Sequence, residues 1–117
     1  MLLESPANTL PEDQASRNEY PIAEGCLDYF PNALAEVARL SFIATEQHHP
    51  GEDMHWDRSK STNHADKILR HLVDRGGSFF IGDHVVPHSV AVAWRALALL
   101  QEEMEARNGL PPSRASR

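Results

Sequence analysis

Apolar residues return at helical intervals in three stretches of the chain, and each stretch carries its own start or stop signal. In the first, Leu34, Val37, Leu40, Ile43 and Ala44 share one broad face. Pro31 suits the opening turn of this helix, because the N–H it lacks is one a helix leaves unpaired anyway. Glu36 lies on the edge of the same face, beside Leu40 and Ile43, and the run HHPGED, with Pro50 and Gly51, must end the helix. In the second stretch Ala65, Ile68, Leu69, Leu72 and Val73 share a face from about Asn63 to Arg75, and Gly76-Gly77 stops the pattern. Lys67, Arg70, His71 and Asp74 occupy its other side. The third stretch starts at Pro87 and stops at Gly109. Between Val90 and Leu100 it is apolar nearly all round apart from Arg95, the mark of a central helix or one shared with a second subunit. The pattern predicts an all-α helical bundle that assembles as a homo-oligomer, a dimer or a tetramer.

The connecting stretches are less regular. SFFIGDHVVP fits either a short apolar loop or a weak hairpin about Gly82-Asp83. Residues 1–19 are rich in turn-formers and acids and are expected to form a flexible arm, and 110–117 a disordered tail. Between them, 20–109 form one domain, opening with an irregular lead-in in which Tyr20, Ile22, Leu27, Tyr29 and Phe30 alternate with Pro21, Gly25 and Pro31. No internal repeat is present.

A hydrophobic fraction of 41% and a charged fraction of 24% are ordinary for a globular chain of 117 residues. The formal net charge of −6, with Lys and Arg not gathered on one long face, excludes a nucleic acid polymer as the main partner but leaves room for a small polyanion. Cys26 stands alone, and no signal or membrane-length apolar run is visible, which predicts a reducing cytoplasm and no membrane contact.

Candidate chemistry concentrates in HWDRSKSTNHADKILRH, His55 to His71. Arg58, Lys60, Arg70 and Lys67 would surround the N-terminus of the second helix, with Ser61 and Thr62 adding hydroxyl donors, an arrangement able to cradle a di- or triphosphate or simply to form a solvated basic patch. Asp66 fits a structural role, an acid in the first turn of a helix capped by Asn63 and one turn before Arg70. Glu36 either reaches solvent or points into a cleft between helices, with Arg39 as a possible partner. Glu46, ten residues on, would stand about 15 Å away along a continuous helix. His48, His49, His55, His64 and His71 crowd one region, but with no H-E-x-x-H and only a remote Cys26 their spacing argues against structural zinc. Trp56, Tyr29 and Trp94 are candidate stacking surfaces.

The combination W-x-R-x-K-S and D-x-x-x-R-H, here Trp56-Arg58-Lys60-Ser61 and Asp66-Arg70-His71, resembles the phage dATP/dGTP diphosphohydrolase family. That family is a branch of the all-α, MazG-like nucleoside triphosphate pyrophosphohydrolases, and the resemblance spans roughly residues 20 to 103. It implies an oligomeric helical fold and cleavage of dGTP or dATP to the monophosphate and pyrophosphate with Mg²⁺ or Mn²⁺. It also implies a possible place in the MazZ branch, which supplies dGMP for 2-aminoadenine nucleotides in phages. Glu36 and Asp66 match the expected metal-binding acids. The E-x-x-E and E-x-x-D pairs of MazG-like enzymes are not intact here, and Glu46 is the third candidate ligand, ahead of Asp28 and Asp83. In a metal-assisted cleavage of this kind Arg58, Lys60 and Arg70 would stabilise the leaving pyrophosphate, Lys60 and Arg70 as catalytic cations, with Ser61 and His71 also on the phosphates and Trp56, Tyr29 and His88 about the base. Two other classes compete. Arg58 and His64 match the R-x5-H spacing of HEPN-like ribonucleases, and the apolar last helix suits a non-catalytic helical adaptor.

Overall fold

The three predicted helices are present as α2 (Pro31–His48), α3 (His64–Val73) and α4 (His88–Asn108), in a computed structural model that describes residues 9–117. Pro31 sits in the first turn of α2, and Gly109 closes α4 in the left-handed conformation, as their residue types require. At α3 the N-cap is Asn63, but it takes a left-handed backbone (φ 57°) and its side chain makes no capping bond, so Asp66 alone complements the exposed N–H groups there. A short first helix, α1 (Gln14–Arg17), is capped by Asp13, whose Oδ1 accepts from the Ser16 N–H at 2.8 Å. A π-helical turn follows at Ala23–Leu27. Of the arm expected at 1–19, residues 1–8 lie outside the described part.

The ambiguous SFFIGDHVVP run is a hairpin, so the fold is helix-dominated with a small sheet instead of all-α. Strands β1 (Ser78–Ile81) and β2 (His84–Pro87) pair antiparallel, Phe79 opposite Val86 and Ile81 opposite His84. Gly82 takes φ +58° at the first turn position while Asp83 does not, the pattern of a II′ turn, whose twist matches that of the strands. Phe79, Ile81 and Val86 face inward; Phe80 and Val85 face solvent.

Helix α4 is central: α2 and α3 both pack on it, and the hairpin closes over α4 and α2. The core joins Leu40 and Ile43 from α2, Val86 from the hairpin and Ala91 from α4, with Phe79, Ile81, Val90 and Trp94 against them. It is small. Ile43, 1% exposed, is its only large side chain that is essentially sealed from solvent among the described residues.

Helix α3 reverses the usual logic of an amphipathic helix. His64 (5% exposed), Lys67 and His71 turn inward, while Leu69 and Val73 of the apolar stripe stand 62% and 78% exposed. The surface of α4 that α3 meets carries Arg95 and Glu102, which bond His64 from both sides, so polar side meets polar side. Leu97, Leu100 and Met104 of α4 are also exposed, at the three- and four-residue spacing of a helix seam. The radius of gyration is 16.2 Å, against about 13 Å for a compact chain of this length.

The tail, expected to be disordered, lies along the connection between α2 and α3. Trp56 N–H donates to Ala115 O (2.8 Å), Arg117 N–H to Trp56 O (2.9 Å) and Arg58 N–H to Arg117 O (3.1 Å). Composition alone favours disorder in PPSRASR, and a specific anchor, described next, overrides it.

Candidate functional site

A cavity of about 750 Å³ opens between α2, α4, α3 and the α2–α3 connection, within the size range of small-molecule sites. Helix α2 contributes Ser41 and Thr45, α4 contributes Trp94 and Arg95, α3 contributes Lys67 and His71, and the connection adds Trp56, Lys60 and Ser61. Trp94 is fixed by an indole N–H donated to Ser41 Oγ at 2.8 Å, and Trp56 meets it edge to face with centroids 5.7 Å apart. The Trp56 indole N–H is buried and has no protein acceptor.

The electrostatics of this cavity are lopsided. Burial pushes the Arg95 guanidinium below its ordinary pKa, and Lys67 is pushed down by burial and then by the charges of Arg95 and Arg70. Neither takes part in an ion pair with a carboxylate among the described residues. Arg95 donates instead to His64 Nδ1 (3.2 Å), which leaves the His64 Nε2–H to donate to Glu102 at 3.3 Å and fixes a neutral tautomer. Burial, followed by the charges of His88 and Arg95, lowers the pKa of His71, and its Nδ1 lies 2.8 Å from Nδ1 of His88. The contact requires a proton on one ring and a lone pair on the other, and the lowered pKa favours the neutral form of His71. Two partly desolvated cations beside a neutral imidazole form a pocket of excess positive charge, the environment an anion relieves.

Arg58 is committed elsewhere. Its Nη1 and Nη2 donate to Glu105 Oε1 and Oε2 at 2.8 and 2.9 Å, its Nε to Ser116 Oγ at 2.9 Å and Nη2 also to Ser113 Oγ at 3.1 Å. The guanidinium lies over the Trp56 ring, 3.7 Å from its centroid. Glu105, 7% exposed, also accepts from Gln101 and from the Ser113 N–H, and these bonds, Arg58 first, lower its pKa to about 2. This anchor holds the tail. It occupies four guanidinium hydrogen bonds that the phosphate cradle predicted from the sequence would have used, and it covers one face of Trp56. With His64 enclosed by Arg95 and Glu102, the R-x5-H pair is likewise engaged.

The remaining predicted residues divide. Lys60, Ser61, Trp56 and His71 line the cavity. Glu36, Glu46, Asp66, Arg70 and Tyr29 are exposed and do not. The buried part of α2 begins at Leu40, so Glu36, one turn earlier, projects past the core. Since α3 turns His64, Lys67 and His71 inward, Asp66 and Arg70 fall on its outer side. Glu46 borders a separate shallow depression with Glu52. Glu36, Glu46 and Asp66 therefore share no cavity in a single chain. Asp28 and Asp83 are exposed as well, and His88 reaches the cavity only through His71.

The donor atoms that do converge among the described residues belong to His49, Glu52 and His55, all within 4.8 Å of one another. The sequence pattern tested only the helical H-E-x-x-H spacing, whereas these residues meet around a Pro50-Gly51 turn. Arg95 was visible as the single charge in an apolar helix, but nothing in spacing placed it beside Lys67. Among the described residues no helix is long and apolar enough to cross a membrane. No family model, curated protein or solved structure matches the chain.

Proposed function

We propose that the cavity binds a deoxynucleoside triphosphate, dGTP or dATP, and that the protein hydrolyses it to the monophosphate and pyrophosphate with Mg²⁺ or Mn²⁺. The observation that carries this reading is the pair Lys67 and Arg95, partly buried and without a carboxylate partner in a cavity of nucleotide size. A triphosphate neutralises such a pair and gains from its low-dielectric setting. Lys60 and Ser61 stand at the same wall to take a terminal phosphate. Neutral His71, when its Nδ1–H is the proton donated to His88, keeps an Nε2 lone pair suited to accept a proton from the attacking water. The sequence resemblance supplies the reaction class; the cavity supports a polyanionic, partly aromatic substrate.

Glu36 and Asp66, with Glu46 as the third, remain the proposed ligands of the divalent ion, which supplies charge neutralisation and an acidified water when bound. One chain does not gather them, so this assignment requires a second copy. Leu69 and Val73 on the outer side of α3, where Asp66 also lies, and Leu97, Leu100 and Met104 on α4 offer the apolar area for such an assembly. The test is a panel of dNTPs and NTPs incubated with the purified chain, with and without Mn²⁺, and with products resolved. Equimolar dNMP and pyrophosphate that depend on the ion support the reading; a diphosphate product, or no turnover of any nucleotide, removes it.

A further inference from the structure

At the C-terminal end of α2 the chain folds back on itself. His49 is the C-cap, and Gly51, with φ +82°, completes a turn that lets the Glu52 N–H donate to His49 O at 3.1 Å. The turn brings a Glu52 carboxylate oxygen to 3.2 Å from His49 Nδ1 and sets the ring of His55 4.7 Å from that of His49. The spacing H-x-x-E-x-x-H is thus a spatial cluster.

We propose that His49, Glu52 and His55 form a mononuclear site for a borderline divalent transition ion, with Zn²⁺ the best match. Both histidines have their other ring nitrogen already engaged. His49 Nε2 lies 3.1 Å from Asp57 Oδ2, and His55 Nδ1 lies 2.8 Å from the Asp53 carbonyl oxygen. Each of those nitrogens must carry the proton to donate, which leaves the lone pair on Nδ1 of His49 and on Nε2 of His55. Metal-binding histidines are oriented in this way, by a carboxylate or a backbone carbonyl on the far nitrogen. Asp57 is itself held, its Oδ1 accepting from the N–H and hydroxyl of Ser59 at 3.1 and 2.6 Å.

One edge of the cluster already suits a small ion, and the His55 donor, within 4.8 Å of the other two, would close on it. With bonds of about 2.0 Å, the edge of a tetrahedral site is roughly 3.3 Å, close to the 3.2 Å between His49 Nδ1 and Glu52. Two neutral imidazoles and one carboxylate select zinc or its first-row neighbours over Mg²⁺ and Ca²⁺, which favour all-oxygen sets. A proton is the competitor: a doubly protonated His49 would bridge Glu52 and Asp57, but His55 would have no part in that arrangement. Three protein ligands leave a position for water, and His49 and His55 also line the large cavity. The inference does not rest on the triphosphate reading, and Glu36 and Asp66 have no role in it.

The experiment uses the untagged full chain, stripped with a chelator and titrated with Zn²⁺ by calorimetry and with Co²⁺ by visible absorption. One equivalent per chain is expected. His55→Ala and Glu52→Gln should each weaken binding at least tenfold, and Asp57→Asn, acting through His49, by about 10- to 100-fold. His48→Ala, at an exposed neighbour outside the cluster, should leave it unchanged. Circular dichroism of the exposed-site variants confirms folding, and binding should weaken below about pH 6 as protons compete for imidazole. Absence of saturable binding, unchanged affinity in His55→Ala, or equal loss in His48→Ala would overturn the site.

Discussion

Replacing Glu105 by Gln should unfasten the tail and unbalance Arg58, by an amount that can be worked from the site. The carboxylate pKa falls from 4.5 to about 2 on folding, equivalent to roughly 3.4 kcal/mol through linkage. Only Arg58 and a single layer of tail cover the group, so solvent screening reduces this to about 2 kcal/mol. Because the folded pKa is depressed, the contribution is complete above the unfolded value of 4.5 and is lost as the pH falls through about 2; about 40% of it remains at pH 3. Urea unfolding of wild type and Glu105→Gln at fixed protein concentration should therefore differ by about 2 kcal/mol at pH 7 and by less than half of that at pH 3. Amide exchange of 113–117 should rise in the variant. A difference below about 0.5 kcal/mol at pH 7, or one that does not change with pH, would refute the anchor.

Other consequences follow from the same packing. Ile43→Ala, at the most buried side chain, should cost about 2–4 kcal/mol in urea unfolding, and a loss under about 1 kcal/mol would mean that the core lies elsewhere. Leu69→Glu and Leu100→Glu, at exposed positions, should leave helix content intact and shift the sedimenting species towards monomer if the proposed assembly forms through them; an unchanged mass in both would remove these faces from that proposal. Glu36→Gln and Asp66→Asn should each abolish nucleotide turnover in a folded protein, and full activity in either takes that residue out of the proposed metal site.

Helix boundaries were largely legible because punctuation and period agree: Pro31 and Gly109 mark ends that lie within a residue of the observed ones. The hairpin was undecided because a short apolar run with one Gly-Asp pair fits loop and strand alike. Facing was harder. The apolar stripe of α3 is plain in the sequence, yet His64, Lys67 and His71 turn inward beside Ile68 while Leu69 and Val73 stay exposed, since Arg95 and Glu102 on α4 provide partners for His64 that no single helix reveals. The site suffered from the same blindness. Arg58 and Lys60 are two residues apart, but one is tied to Glu105, forty-seven positions away, while the other lines the cavity. Asp66 and Lys67 are neighbours, yet one is exposed and the other lines the cavity. Of the connection residues the sequence singles out, Trp56, Lys60 and Ser61 line the cavity and Arg58 does not, but spacing has no means of pairing Lys67 with Arg95 or of closing His49, Glu52 and His55 around a turn.

The central claim is that unpaired, partly buried positive charge in the cavity holds a triphosphate. It is tested most directly by calorimetric titration of dGTP into wild type, Lys67→Ala and Arg95→Met, without divalent ion so that binding is separated from turnover. The account predicts saturable binding to wild type, weakened at least tenfold in each variant and by added salt, with circular dichroism showing that Arg95→Met, which also loses its bond to His64, is still folded. Equal affinity in all three proteins, or no binding to wild type, would contradict it.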